Sequence, residues 1–293
     1  MNNILSFEEY EEQIAARVSQ KLGSSAAVEC RRVVKNNGVA LDGLCITPAG
    51  EKISPTIYLN DSYERYRCGM ELDEAVKGII RVYEERNGTG FIDPEMFSDR
   101  EKVCGMLACR LVSRSRNAEA LKEMPHRDFL DLAVTYMCVL GETSFGNASM
   151  AVKDSHLKHW GMDPEELDEI AVKNTPKLLG KRIRKLSDFL RGIELPEADV
   201  PMYVATNRPG LYGAYQMCCG DTLEQLSEIL GGDFLILPSS VHEIIALPVA
   251  SGEASDLSAM VHEVNENVVA GQEVLSDRVY LYDSAGKRLD IAS

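Results

Sequence analysis

The sequence has no C-x-x-C pair, no G-x-S-x-G elbow and no Gly-Lys-Ser/Thr phosphate loop. No G-x-G-x-x-G follows any expected strand, so a dinucleotide fingerprint is missing as well. No apolar run approaches the roughly 18 residues that a membrane span needs. Positive charge is also in short supply: 31 Lys and Arg stand against 46 Asp and Glu, a net charge of −15. That balance repels nucleic acid and anionic membrane surfaces, and it favours a neutral or cationic partner unless a local basic patch overrides it. The N-terminal stretch MNNILSFEEYEEQIAARVSQKL lacks a basic leader followed by an apolar segment, so a secretory signal is not expected. Eight scattered cysteines then read as reduced, buried thiols of a cytoplasmic protein, with no disulfide framework, metal or cofactor expected.

What is present is the composition of a globular protein, 45% hydrophobic and 26% charged over 293 residues. Ser6 and Glu9 form a capping box ahead of Phe7, Tyr10, Ile14, Val18 and Leu22 at helical spacing. VECRRVVK and VALDGLCIT follow, joined by Asn36-Asn37-Gly38, a hairpin turn signal. Pro55 places the start of a third strand near Thr56. Leu72, Val76, Ile79, Ile80 and Tyr83 form one stripe of a further helix, with Gly88 as its stop.

VCGMLACRLV, from Val103, reads as a strand, and Asp163-Pro164 caps a helix over PEELDEIAVKNTPKLL. KRIRKLSDFLRGI reads as a second helix with Ile183, Leu186, Leu190 and Ile193 inward. The last third has strands PMYVATN, YGAYQMCC, DFLILPSS and HEIIALPV, and a helix over TLEQLSEILGG. A helix capped by Asp256 and a closing hairpin complete it. Short strands and hairpins outnumber regular crossovers, which predicts an α+β fold with mixed or antiparallel sheets, an open α/β sheet being the alternative. Linker-like segments divide the chain into modules at 1–98, 99–196 and 197–293. A similarity between 146–152 and 213–219, each followed by an Asp and a helix, fits either an internal duplication or shared architecture.

The blocks VVKNNGVALDGLCI, ISPTIYLN-x-x-Y-x-x-Y-x-x-G, DFLILPSSVHEIIALPV, L-x-x-MVHEVN and EVLSDRVYLYD resemble an uncharacterised family of clostridial gut anaerobes known only as a domain of unknown function. The resemblance spans the chain and implies a bacterial, cytoplasmic α+β protein. It implies no activity, substrate or catalytic residue.

Candidate chemistry concentrates in LPSSVHE. Ser240, His242 and Glu243 offer a nucleophile, a base and an acid, with His262 of the second Val-His-Glu stretch as a fourth group. On one strand, Ser240 and His242 share a face while Glu243 points away, a poor nucleophile–base geometry. A polar knot between apolar strands fits the pattern better, with serine hydroxyls satisfying backbone groups. His262 lacks a histidine four residues on, so the H-E-x-x-H zinc pattern fails. His156 and His159 are three apart with no third ligand, and Trp160 reads as a core anchor. GETSFGNAS has the glycines of a phosphate loop without its lysine.

Between 173 and 191 the charge balance inverts: Lys173, Lys177, Lys181, Arg182, Arg184, Lys185 and Arg191 face a single acid, Asp188. Lys181, Arg182, Arg184 and Lys185 are therefore the candidate binding residues, for an acidic protein partner more than for nucleic acid. These features lead to a non-catalytic binding or accessory protein. The alternative is a hydrolase or metal-dependent enzyme using Ser240, His242 and Glu243.

Overall fold

A computed structural model describes residues 4–50, 56–87, 94–143, 146–188 and 200–292. Met1–Lys35, Val39–Glu95 and Thr143–Phe145 form one compact unit, and Asn36–Gly38, Met96–Glu142 and Gly146–Ser293 form a second. The fold is α+β.

In the first unit the capping box forms as the sequence dictates. Ser6 Oγ accepts from the Glu9 N–H and the Glu9 carboxylate accepts from the Ser6 N–H, opening α1 (Phe7–Leu22). Strands β1 (Ala26–Val34), β2 (Ala40–Pro48) and β3 (Thr56–Tyr58) make an antiparallel meander. Between β1 and β2, Asn37 and Gly38, which the chain lends to the second unit, take positive φ (62° and 71°), which asparagine and glycine tolerate best. Helices α2 (Asn60–Arg67) and α3 (Leu72–Asn87) follow. Tyr10, Ile14, Val18, Leu44, Ile46, Val76 and Ile79 close the core of this unit. The expected stop at Gly88 lies outside the described residues.

The second unit begins with α4 (Arg100–Met106), capped by Asp99, which runs directly into β4 (Leu107–Ser113). VCGMLACRLV is thus a helix for its first four residues and a strand only for the rest. Val103 faces the core in either conformation, so an unbroken apolar run carried no sign of the junction. After α5 (Ala118–Leu121), β5 (His126–Phe129), β6 (Leu132–Thr143) and β7 (Gly146–Ala151) complete a four-stranded sheet with β6 at its branch point. Helices α6 (Asp154–Trp160) and α7 (Pro164–Leu178) follow, the latter capped by Asp163 as expected.

KRIRKLSD is not an α-helix. Residues Arg182–Lys185 form strand β8, and Leu186–Asp188 a single 3-10 turn. Gly180, at φ 62°, ends the run of α7, and pairing with Tyr203–Thr206 then holds Arg-Ile-Arg-Lys as a strand of period two, only Ile183 being half-buried. Leu190 and Ile193 of the expected helix, and the expected module boundary at 196, lie outside the described residues.

β8 is the edge of a six-stranded antiparallel sheet in the order β13-β12-β10-β11-β9-β8. Its other strands are β9 (Tyr203–Thr206), β10 (Phe234–Ser240), β11 (Glu243–Pro248), β12 (Tyr280–Asp283) and β13 (Arg288–Ile291). Helices α8 (Gly220–Leu230) and α9 (Ala254–Asn267) complete the unit. Asp256 sits inside the first turn of α9, and Glu253 precedes the helix without a side-chain cap. YGAYQMCC is also not a strand: Gly213–Cys218 is a buried 3-10 segment, whereas Gly146–Ala151 is a strand, so the two similar stretches do not share an architecture. One apolar cluster joins Leu107, Leu111 and Val134 to Phe234, Ile236 and Ile244. Trp160 is part of it, and its indole N–H donates to the Phe97 carbonyl at 2.8 Å.

Candidate functional site

The LPSSVHE segment is a hairpin tip. β10 runs through Ser240, β11 starts at Glu243, and Ser240 and Glu243 pair across the two-residue turn Val241-His242. The register shifts between Leu237 and Ser240, so simple face alternation does not hold there.

All four backbone groups of the turn are used. The Val241 N–H donates to the Glu273 carbonyl (2.8 Å), and its carbonyl accepts from the Ala214 N–H (3.2 Å). The His242 N–H donates to Ser240 Oγ (3.0 Å), and its carbonyl accepts from Thr206 Oγ1 (2.7 Å). His242 Nδ1 accepts the Tyr212 N–H at 3.2 Å, which leaves the neutral ring its proton on Nε2, 3.9 Å from the Glu273 carboxylate. Ser239 Oγ donates to the Glu243 carboxylate at 3.4 Å.

The tip sits on a loop built to receive it. Asn207, buried, donates to the Leu211 carbonyl (2.6 Å) and accepts the Leu211 N–H (3.0 Å), closing residues 207–211. Tyr212 is then held at φ 52°, an uncommon conformation for a non-glycine residue, with its ring 5.5 Å from that of His242. The Arg110 guanidinium lies 5.0 Å from the centre of the Tyr212 ring. Gly213 comes so close that a Cβ there would collide with Thr206 Oγ1, the His242 carbonyl and the Asn207 nitrogen. Thr206, Tyr212, Gly213, Glu273 and Arg110 escaped the sequence reading because each is remote in the chain and carries no local signal.

The two Val-His-Glu stretches use different partners. His262, half-exposed on α9, lies 3.4 Å from Glu266 and 3.5 Å from Asp277. Burial would raise the Asp277 carboxyl, but the Asn265 hydrogen bond and the nearby Arg116 and His262 hold it below its ordinary value. Among the described residues no three His, Cys, Asp or Glu side chains are placed to hold a metal ion. His156 accepts the Lys153 N–H at 3.1 Å as part of a helix cap, and burial lowers its pKa.

A second polar cluster lies deeper. Asp168 on α7 accepts from Tyr136 OH (2.8 Å) and Arg127 Nε (3.1 Å). Burial, followed by the neighbouring Cys109, pushes the Tyr215 phenol up, and burial pushes Cys138 up to about 12. Cys219 is likewise raised to about 12 by burial and then by Asp221. These thiols stay protonated at neutral pH and are poor nucleophiles.

The candidate binding residues occupy the β8 edge. Lys181 pairs with Asp221 at 2.9 Å. Arg182, Arg184 and Lys185 are exposed, and no ion pair reaches them among the described residues. Arg208, exposed and packed against Gly180, adds a cation at the same end that the sequence reading missed. No helix is long and apolar enough to cross a membrane among the described residues.

No curated protein and no solved structure matches this chain. A family model matches residues 7–284, which covers both hairpin blocks, the tip and the basic strand. The chain belongs to this family, described as a family of unknown function (DUF5688).

Proposed function

We propose that the protein is a non-catalytic binding or accessory protein that recognises an acidic protein partner through the basic edge of its six-stranded sheet. The observation that carries this reading is Arg182, Arg184 and Lys185, exposed and free of ion pairs among the described residues, in a chain of net charge −15. Such a chain has acids to spare for internal pairing, as Lys181 with Asp221 and Lys287 with Glu224 demonstrate. These three cations, unpaired among the described residues, are therefore available to something else. A cytoplasmic location suits eight scattered cysteines with no C-x-x-C pair among them. The hydrolase alternative gains no support at the tip, where Ser240 Oγ and His242 Nδ1 already serve as acceptors for backbone N–H groups.

The test is parallel recovery of tagged wild-type protein and the triple variant Arg182→Glu/Arg184→Glu/Lys185→Glu from the native host, with bound proteins identified by mass spectrometry. The reading requires an acidic protein that is retained by wild type, lost with the variant and released by moderate salt. Equal recovery by both would overturn it.

A further inference from the structure

We propose that β8 takes this acidic partner as an added antiparallel strand, so that the basic edge recognises an extended segment through its backbone as well as its charge. This rests on the reading given under Proposed function and specifies its mode.

The phase of the edge follows from one hydrogen bond. β8 pairs with β9 antiparallel in the register Arg182↔Thr206, Ile183↔Ala205, Arg184↔Val204, Lys185↔Tyr203. The Leu186 N–H donates to the Met202 carbonyl at 2.9 Å, continuing the same register. Antiparallel pairs alternate between hydrogen-bonded and non-bonded positions. Arg184 and Arg182, two and four residues back, therefore share the bonded phase and aim their backbone groups at β9. Ile183 and Lys185 aim theirs at the open edge, where no backbone hydrogen bond meets them among the described residues. An edge in this state is a template for one more strand.

The side chains say which strand. Arg182 and Arg184 project on one face, Ile183 and Lys185 on the other, and Ile183 packs against the apolar cluster. Residues directly opposite share a face, so the incoming strand needs acids opposite Lys185, Arg184 and Arg182 and an apolar residue opposite Ile183. Read along the partner, that is Glu-Glu-Val-Glu. A second copy of this chain joined edge to edge through β8 would set cations opposite cations, and so does not fit.

The probe is a fluorescein-labelled peptide Ser-Thr-Glu-Glu-Val-Glu-Thr-Ser, followed by anisotropy with the full chain. Three comparisons decide: the same peptide N-methylated at alternate residues, a scrambled peptide of equal charge, and the protein variants Lys185→Ala and Lys185→Pro. The outward N–H of Lys185 is not used by β9, so proline there removes the donor that the added strand needs without removing a ladder bond. Circular dichroism verifies that both variants fold. We expect at least tenfold weaker binding for the methylated peptide in one of its two phases, and for Lys185→Pro relative to Lys185→Ala. If all acidic peptides bind alike and the proline variant matches the alanine one, strand addition is overturned while acid recognition stands. If no acidic peptide binds and the triple charge reversal changes nothing in host recovery, the underlying reading falls too. Tighter, steeply salt-dependent binding of a single-stranded oligonucleotide at the same residues would overturn both in favour of nucleic acid.

Discussion

The hairpin tip at 239–243 and the strand at 182–185 are both polar stretches of the same six-stranded sheet, and they handle polarity in opposite ways. At the tip every backbone group of the turn is bonded, and the Ser240 hydroxyl and His242 Nδ1 accept N–H groups from the chain itself. On β8 three cations and two sets of backbone groups have no such partner among the described residues. A buried polar group must be satisfied within the fold or it costs stability. An exposed one has no such obligation. The residues that look most like catalysts are thus engaged in holding the hairpin, and the plainer charged strand is the one left open.

The most severe way to break the tip is Gly213→Ala. Its Cβ would strike Thr206, His242 and Asn207 at once, two of them through backbone atoms that have little room to move. The expected loss is about 3 kcal/mol, lowering the thermal midpoint by about 6–12 °C. An unchanged midpoint would show that the loop yields easily and that the tip is not tightly seated. Next, His242→Ala leaves the Tyr212 N–H without its acceptor and removes the ring contact. About 1–2 kcal/mol should be lost, or roughly 2–8 °C, with acidic-peptide affinity unaltered. Retained stability together with altered ligand binding would reverse the roles assigned to the two regions.

A smaller effect is expected at Asp277, whose carboxyl is held below its ordinary value of 3.8. A carboxyl lowered in the folded state stabilises above its unfolded value and loses that contribution as pH falls through its folded value. Asp277→Asn should therefore lower the midpoint by its full amount above about pH 5, the gap to wild type closing as the pH drops below 3.8. A gap that persists in acid would mean that packing, not charge, is lost. Smallest of all is the triple reversal Arg182→Glu/Arg184→Glu/Lys185→Glu, where each exposed change should alter stability by no more than about 0.5 kcal/mol. A large drop in its midpoint would mean that these cations support the fold, as the tip does.

Local chemistry was legible wherever cause and effect lie within a few residues. Ser6 with Glu9, Asn37-Gly38 and Asp163-Pro164 each fix their own backbone, and all three form as expected. The misreadings share a different cause. Val103 and Ile183 suit either helix or strand, and only sheet pairing decides, with β4 on β6 and β8 on β9. At the tip, the polar-knot character of Ser240 and His242 could be read from their context. The groups they engage could not, because Tyr212, Thr206 and Glu273 are brought there by the topology of the sheet and its loops.

The two-residue turn Val241-His242 has a practical consequence. Surface hairpins are ordinarily the places where a chain accepts a tag, a cleavage site or new termini. This one should refuse all three, because any insertion must pull at least one of its four backbone groups from a fixed partner. The exposed turn around Ala285–Lys287, between β12 and β13, is the better place to open the chain. A tag inserted there would keep the tip sewn to its loop and leave the basic edge free to be tethered, labelled or displayed.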